Sequence, residues 1–316
     1  MAEVITLGET MVCMSPDTTA PLRYVSSFHP RIAGAESNLA VGLAKLGHKV
    51  AWVSRLGDDE FGQYVRNMVR SEGVCTDYVR FDGENPTGLM FKETTHGETK
   101  VYYYRKHSAA SAMEPGDLDE ILFQGARILH LTGITPVLSE SCRDTVCRCM
   151  DLAGQYGVKI SFDPNIRRKL WGDQDHGPMI RRFCGRSNYL LMGLDEASVL
   201  YGQTQPEKLF ETIFAGNDAA ELVVLKDGGN GAWAADRKKQ VFLAPFPCRC
   251  IDPIGAGDAF NAAFLSGVLE GRDMEDCGRM GAIAGAMATE TDGDTEGYPD
   301  RRKLDRLMDN REEVCR

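Results

Sequence analysis

The stretch "DPIGAGDAF" (252–260) combines small residues and a carboxylate directly before a helix-like segment, "NAAFLSGVLEG". The first N–H groups of a helix lack intrahelical partners and carry the positive end of the helix dipole. Gly255, Ala256 and Gly257 would therefore let the backbone close on an anion such as a phosphoryl group. Asp258 would repel that anion unless it accepts a proton from, or orients, an attacking hydroxyl, which suits phosphoryl transfer. The alternative is a tight turn in which Asp258 only stabilises the helix start, and these residues alone leave it open.

Apolar, β-branched runs alternate with segments of helical periodicity over most of the chain. Strands are predicted at 3–8, 49–57, 128–133, 158–164, 188–193 and 221–228, and helices at 36–46, 60–71, 140–156, 257–270 and 274–289. Strands separated by helices predict an α/β fold, with a mostly parallel sheet that is covered by helices on both faces. Such sheets bind ligands beyond the carboxyl ends of their strands, so the loops there are expected to form the site.

Two segments break this alternation. Residues 77–108 contain no helical pattern and instead alternate around a turn signal at His96-Gly97, and residues 12–33 also lack helical periodicity. Both are predicted to form a small β sheet that projects from the core as a lid. Because no linker or low-complexity tract interrupts the chain, residues 1–316 are predicted to form one domain.

Composition excludes several classes of function. The formal net charge is −10 and the pI about 5.2, which argues against nucleic acid or an anionic membrane as a partner. The chain lacks a secretory signal and an apolar stretch long enough to span a membrane, so a cytoplasmic protein is expected. The ten cysteines include no CxxC pair, which favours reduced thiols over zinc or disulfides. GxxxxGK[ST] is absent and no GxGxxG follows the first strand, so neither a P-loop protein nor a dinucleotide-dependent oxidoreductase is indicated.

"DPIGAGDAFNAAF" resembles the C-terminal signature of the PfkB/ribokinase family of sugar kinases. Other motifs similar to the family's occur in the family's order: "GE" at 8–9, "AGAESNLA" at 33–40, "LGDDEFG" at 56–62, "TGLMF" at 87–91 and "KDGGNG" at 226–231. The resemblance covers nearly the whole chain. It implies a ribokinase-like three-layer α/β/α core with a β lid, and a kinase that uses ATP as phosphoryl donor.

The resemblance also implies roles for individual residues. Asp258 would take the proton from a primary hydroxyl while the amides of Gly255, Ala256 and Gly257 stabilise the transferring phosphoryl group. Residues implied to hold the sugar are Gly34 and Asn38. Residues implied to hold the nucleotide are Lys226, Gly228, Gly231 and Gly257.

Two cations are implied as well. Mg²⁺ would bridge the nucleotide phosphates with Glu196 as an outer partner through water, and K⁺ would lie near the anion loop at Asp252 and Ile254. The Asn of the family's NxxE motif is missing here, so a plain helix-surface carboxylate is the alternative for Glu196. The sequence departs from the family at two further positions, since Ala33 replaces a glycine and Pro253 a threonine. Dependence on K⁺ is left open.

Three side chains point to the class of sugar. Tyr103 and Arg105 lie two apart on a predicted strand and so share a face, and Arg167 follows the strand end "SFDPN". Two arginines would form a clamp for a carboxylate. "YYYR" and "DPNIRRKLW" resemble the branch of the family that phosphorylates 2-keto-3-deoxygluconate, with O6 as the expected acceptor. Three alternatives stay open: arginines paired with neighbouring acids, a kinase for a neutral sugar such as fructose or ribose, and a catalytically silent sugar-binding regulator.

The aromatic run at 102–104 bears on assembly. Tyr102 and Tyr104 would lie on the lid face opposite Tyr103. Packing of that face against the lid of a second subunit would cover exposed apolar surface, so a homo-oligomer of unspecified size is predicted. The preference between the gluconate- and galactonate-derived epimers also stays open, because it depends on one hydroxyl.

Overall fold

The structure is a computed structural model and describes residues 1–95 and 98–309; the predicted turn at His96-Gly97 lies outside the described residues. The strands are β1 (Val4–Leu7), β2 (Met11–Pro16), β3 (Phe28–Ala33), β4 (Val50–Gly57), β5 (Val79–Asp82), β6 (Leu89–Thr95), β7 (Glu98–Tyr104), β8 (Ile128–Thr132), β9 (Lys159–Asp163), β10 (Tyr189–Gly193), β11 (Leu222–Lys226), β12 (Ala232–Ala235) and β13 (Gln240–Leu243). The helices are α1 (Ala35–Lys45), α2 (Glu60–Ser71), α3 (Thr135–Leu138), α4 (Glu140–Tyr156), α5 (Arg168–Trp171), α6 (Gly177–Cys184), α7 (Leu194–Tyr201), α8 (Pro206–Gly216), α9 (Ala256–Leu269), α10 (Met274–Ala288) and α11 (Arg301–Asp309).

The large sheet has nine strands in the order β13-β12-β11-β10-β9-β8-β1-β4-β5. Its pairs from β11 to β5 are parallel, and β12 and β13 extend it as an antiparallel hairpin. The central strands are buried on both sides, which suits their mostly apolar sequences. The predicted α/β class with a mostly parallel sheet is confirmed.

Two apolar layers enclose the large sheet. One contains Leu7, Phe162 and Leu190 from the strands with Val146 and Leu152 of α4. The other packs Trp52 and Leu191 of the sheet against α1, α2 and α9. Alternate residues of neighbouring strands point into opposite layers, which gives the three-layer arrangement of helices, sheet and helices.

A second sheet of four strands, in the order β3-β2-β6-β7, projects from the first as predicted for the lid. It is mixed, because β2 pairs parallel with β6 while the other pairs are antiparallel. One part of the predicted lid segment 77–108 lies elsewhere: Val79–Asp82 pairs with Ser54–Gly57 at the edge of the large sheet. A four-residue strand has too short a pattern to reveal which sheet it joins.

One face of the small sheet is aromatic and exposed. Tyr102 is 43% exposed and Tyr104 67%, and the Tyr104 ring meets Phe91 edge to face. Association of two chains through this face stays a prediction. Among the described helices, none has the length and apolar character to cross a membrane.

Candidate active site

The carboxyl ends of the parallel strands converge on one cleft. In the large sheet β4 and β5 lie on one side of β1, and the later strand β8 lies on its other side. The direction in which strands are added therefore reverses between β1 and β8. Ligands bind open α/β sheets at such a reversal. The cleft of about 470 Å³ lies there, between the large sheet and the small sheet. Its walls include the predicted residues Gly34, Asn38, Tyr103, Arg105, Arg167, Glu196, Lys226, Ile254, Gly255, Gly257 and Asp258.

The start of α9 forms one wall of the cleft. Gly255 is the residue before the helix and has a φ of 81°, a left-handed conformation that favours glycine. A Cβ atom at this position would lie 2.1 Å from the backbone oxygen of Asp294, so the loop after α10 presses directly on it. The Tyr298 hydroxyl also donates to the Gly255 carbonyl, at 2.8 Å. These contacts fix the first turn of α9 beside the cleft, which Gly257 and Asp258 line, and the role of its amides toward an anion stays a prediction.

Asp258 has the electrostatic surroundings of a proton acceptor. Its pKa is raised from the usual 3.8 to about 7, first because burial removes water from the carboxylate and then because of the nearby charge of Asp163. A hydrogen bond from Asn38 and the charges of Arg167 and Lys226 act in the opposite direction. A base whose pKa lies near neutrality combines a useful ionised fraction with an appreciable affinity for the proton.

The raised pKa predicts a pH profile. If Asp258 must be ionised to accept a proton, kcat/KM will rise with pH to a plateau above about 7 and fall about tenfold per unit well below it. The measurement is kcat/KM from pH 5.5 to 9, with a coupling system shown not to limit the rate. A flat profile across neutrality would contradict the assignment.

Asn38 is held beside Asp258 by close packing of α1 on α9. A Cβ at Gly42 would lie 2.6 Å from the Ala262 Cβ, so only glycine allows this approach of the two helices. One turn earlier, Asn38 Nδ2 donates to Asp258 Oδ2 at 2.9 Å and to Asp294 Oδ2 at 3.2 Å. Asn38 Oδ1 is buried without a hydrogen-bond partner among the described residues. This oxygen can accept a hydrogen bond from a ligand hydroxyl in the cleft.

The two arginines of the predicted clamp have different surroundings. Arg105 lines the cleft beside Tyr103, but it is only 9% exposed and its guanidinium forms an ion pair with the buried Glu9 carboxylate. This is the internal pairing that the sequence left open as an alternative. Ser108 also donates to Glu9, which fixes the pair. Arg105 therefore shapes the wall, and most of its charge is neutralised by Glu9.

Arg167 is exposed and lies just after the β9 loop. Within the part of the chain that the structure describes, its guanidinium makes no hydrogen bond or ion pair, and it lines the cleft. Asn165, two residues earlier, is buried and has a φ of 39°. Its backbone N–H donates to Asp163 Oδ1 at 2.9 Å. A non-glycine residue in this conformation is typical of functional loops, and here it sets the direction of the segment that carries Arg167.

Lys226, at the end of β11, belongs to a polar cluster at the floor of the cleft. Its Nζ donates to Asp163 Oδ2 at 2.9 Å and to Asn261 Oδ1 at 3.0 Å, and Asn261 Nδ2 donates to Asp163 Oδ2 at 2.6 Å. A Cβ at Gly257 would lie 3.8 Å from this Nζ, so the ammonium lies under the start of α9. Its predicted contact with nucleotide phosphates stays a prediction.

Four predicted residues lie outside the cleft lining, one of them Asp252, which is described below. Gly228 and Gly231 form the turn after β11, with φ values of 52° and 104°, and Ala256 lies in the first turn of α9 behind the wall. The turn is at the carboxyl end of the sheet, beside Lys226. Roles of these residues toward a nucleotide or an anion stay predictions.

Glu196 lies in the first turn of α7 and uses both oxygens internally. Oε1 accepts from the Ile166 amide at 2.5 Å and Oε2 from the Gly193 amide at 2.8 Å. Burial and the nearby Asp163 raise its pKa. Among residues 1–95 and 98–309 there is no cluster of three or more His, Cys, Asp or Glu side chains that would hold a metal by itself. Lys226 already pairs with Asp163 and both Glu196 oxygens accept backbone amides, so neither carboxylate is free to hold Mg²⁺ directly, and the contact of Glu196 with Mg²⁺ through water stays a prediction.

The surroundings of Asp252 do not fit a free K⁺. Asp252 Oδ1 accepts from the Ile254 amide at 3.0 Å, and Oδ2 forms an ion pair with Lys92 Nζ at 3.2 Å. Lys92 is 2% exposed and reaches this point from the small sheet. The carboxylate implied as a K⁺ ligand is thus already neutralised by a lysine.

Sequence reasoning missed several polar residues of the site. Asp163 stood in the quoted "SFDPN" at the end of a buried strand, which is a position that often supplies ligands and could have identified it. Lys92 shares a strand face with the apolar Met90, which is a weaker signal. Asp294 follows a glycine in a loop without periodicity, and no feature of the sequence marks it.

Comparison with known proteins agrees with this geometry. The pfkB family carbohydrate kinase pattern matches residues 1–301. A 2-dehydro-3-deoxygluconokinase of Bacillus subtilis is 36% identical, with 96% of this chain and 94% of that protein covered. A 2-dehydro-3-deoxygalactonokinase of Haloferax volcanii is 32% identical, with coverages of 93% and 92%. The crystal structure of a 2-dehydro-3-deoxygluconokinase from Thermotoga maritima superposes with a TM-score of 0.90 at 26% identity and covers 97% of this chain and 98% of its own.

An α/β fold of this kind, with a glycine-preceded helix start, a near-neutral aspartate and cationic side chains around one sugar-sized cleft, defines a sugar kinase. The chain belongs to the pfkB family of carbohydrate kinases.

Proposed function

We propose that the protein transfers the γ-phosphoryl group of ATP to O6 of 2-keto-3-deoxygluconate. The observation that carries the choice of an acid sugar is Arg167, whose guanidinium lines the same cleft as Asp258 and has no internal partner among the described residues. A planar guanidinium pairs bidentately with a carboxylate. The 36% identity to a 2-dehydro-3-deoxygluconokinase supports the same substrate.

In this proposal each wall of the cleft has a separate task. Gly34 and Asn38 hold the sugar hydroxyls, with the free Asn38 Oδ1 as acceptor, and Tyr103 bounds the sugar from the small sheet. Arg167 takes the carboxylate. The other end of the sugar then reaches Asp258, which accepts the proton of the attacking hydroxyl.

Charge on the transferring group is stabilised by the chain itself. The amides at the start of α9 and the Lys226 ammonium lie around the position of the transferred phosphoryl group. Bound Mg²⁺ would neutralise charge on the nucleotide phosphates, with Glu196 as an outer partner through water. The small sheet covers the cleft and limits access of water, which would otherwise compete as acceptor.

A second pocket that adjoins the cleft favours anionic ligands. It has a volume of about 650 Å³ and shares Tyr103, Arg167 and Glu196 with the cleft. Its other walls contribute Lys100, Arg168 and Lys169. Four basic side chains against the acidic Asp195 and Glu196 make this pocket net positive in a protein whose net charge is −10, which would attract an acid sugar or nucleotide phosphates.

The test is a substrate panel with ATP: 2-keto-3-deoxygluconate, its galactonate epimer, fructose, ribose and glucose. The acid sugars are expected to give the highest kcat/KM, by at least about 100-fold over the neutral sugars, because only they pair with Arg167. Higher kcat/KM for fructose or ribose would replace the proposal with a neutral-sugar kinase. Absence of phosphoryl transfer to every sugar, with nucleotide still bound, would favour a sugar-binding regulator.

Arg167→Met tests the carboxylate contact. We expect KM for the acid sugar to rise about 10- to 100-fold, with little change in KM for ATP, because a charged hydrogen bond to the sugar is lost. The matched control is Arg182→Met, at an exposed position on α6, which removes the same charge away from the cleft and should leave both values unchanged. Equal increases in both KM values for Arg167→Met would contradict the contact.

A further inference from the structure

A buried lysine lies beneath the anion loop, outside the chemistry described so far. Lys92 comes from β6 of the small sheet, yet its Nζ lies 3.2 Å from Asp252 Oδ2 and 3.3 Å from Asp294 Oδ1. All three side chains are less than a tenth exposed. Asp252 belongs to the loop before α9 and Asp294 to the loop after α10, so one ammonium joins three separate parts of the fold.

The arrangement requires a cation. Two buried carboxylates that face one point repel each other, and without a positive charge one of them would take up a proton or bind an ion. Lys92 supplies that charge from within the chain. Its own burial is tolerated because both carboxylates compensate it.

The lysine is linked to both halves of the phosphoryl site. On one side, Asp252 Oδ1 accepts from the Ile254 amide and so fixes the loop that leads to Gly255. On the other side, Asp294 Oδ2 accepts from Asn38 Nδ2, which also donates to Asp258. The charge at Nζ therefore holds the loop amides and the proton acceptor in one hydrogen-bonded frame.

We propose that Lys92 is a built-in replacement for a monovalent cation, so that this protein needs no K⁺ to order its anion loop. The ammonium occupies the position at which the Asp252 carboxylate would otherwise bind a free ion. The side chain acts through Asp252 and Asp294 and is a positioning residue. Since Lys92 lies on the small sheet, the same contact ties the lid to the loop that it covers.

The first experiment uses the unmodified protein. Kinase activity and Tm are measured with K⁺, NH₄⁺, Na⁺ or choline chloride at one ionic strength. Activity is expected to stay within about twofold across the four salts, with no specific shift in Tm. A stimulation of more than about tenfold by K⁺ over choline, or a Tm raised by K⁺ alone, would overturn the proposal. The activity measurement rests on the proposed function, whereas the Tm measurement does not, so the two can fail separately.

The second experiment removes the ammonium with Lys92→Met. Loss of compensation at the two aspartates is expected to lower Tm and to reduce kcat about 100-fold or more in choline. K⁺ or NH₄⁺ should then raise both values, because a cation that binds only the folded state stabilises it. The control Lys106→Met removes an exposed lysine of the same segment and should give no cation response.

A folded Lys92→Met protein whose Tm and kcat ignore K⁺ and NH₄⁺ would overturn the proposal, since its cavity would then accept no cation. A purely structural lysine would lower Tm without creating a dependence on any salt. If Lys92→Met does not fold, the salt series on the unmodified protein decides the matter alone.

Discussion

Asp258→Asn is expected to lower kcat by about 10²- to 10⁴-fold, the usual contribution of a positioned proton acceptor. The amide keeps the shape of the carboxylate and can still accept the hydrogen bond from Asn38 Nδ2. It cannot take a proton from the sugar hydroxyl. The nucleotide dissociation constant should change little, because phosphates are bound by the backbone and cationic side chains rather than by Asp258. The measurements are kcat with saturating substrates and nucleotide binding by calorimetry.

The Tm of Asp258→Asn shows whether a loss of activity comes from the missing base or from a damaged fold. The pKa of Asp258 is about 7 in the folded protein and 3.8 in its usual state, so ionisation opposes folding increasingly as pH rises from about 4 to 7. Asp258→Asn removes that opposition, and its Tm at pH 8 should equal or exceed that of the unmodified protein. The control Asp218→Asn alters an exposed carboxylate just after α8. It should change neither kcat nor Tm. Turnover within threefold of normal in Asp258→Asn would refute its role as proton acceptor.

Local sequence was a good guide to the elements that form the large sheet. "VITL", "ILHLT" and "LVVLK" are short, mostly apolar and β-branched runs, which favour buried strands, and the structure has strands at all three. The anion loop was also recognisable, because Gly255 and Asp258 stand three positions apart at the start of a long helix. These features depend on neighbours in the chain, which a sequence displays directly.

Features that depend on distant partners could not be predicted in the same way. Arg105 pairs with Glu9, and Lys92 pairs with Asp252 across 160 positions of the chain. Arg105 was predicted on a strand with Tyr103 but lies just after β7, and Lys92 lies on β6; only the tertiary structure shows which carboxylates these cations meet. Arg167 differs from both, because its guanidinium has no carboxylate partner among the described residues.

The shape of the anion loop depends on Gly255, and Gly255→Ala should therefore reduce kcat about 10²- to 10³-fold, the usual effect of displacing a transition-state donor. Two costs combine in this variant. A left-handed φ of 81° disfavours any Cβ by about 1–2 kcal/mol. The new methyl would also lie 2.1 Å from the Asp294 backbone oxygen, so the loop must move and its amides turn away from the phosphoryl group.

Gly271→Ala separates these two costs. Gly271 has a similar φ of 71°, and a Cβ there would meet no atom within 4 Å. It should lose a little stability from backbone strain and keep full kcat. Gly255→Ala should show a larger decrease in Tm and a large decrease in kcat, because only there does the methyl meet the loop that carries Asp294. Equal kcat in the two variants would mean that the start of α9 does not position the transferring group, and the phosphoryl site would then have to be sought elsewhere in the cleft.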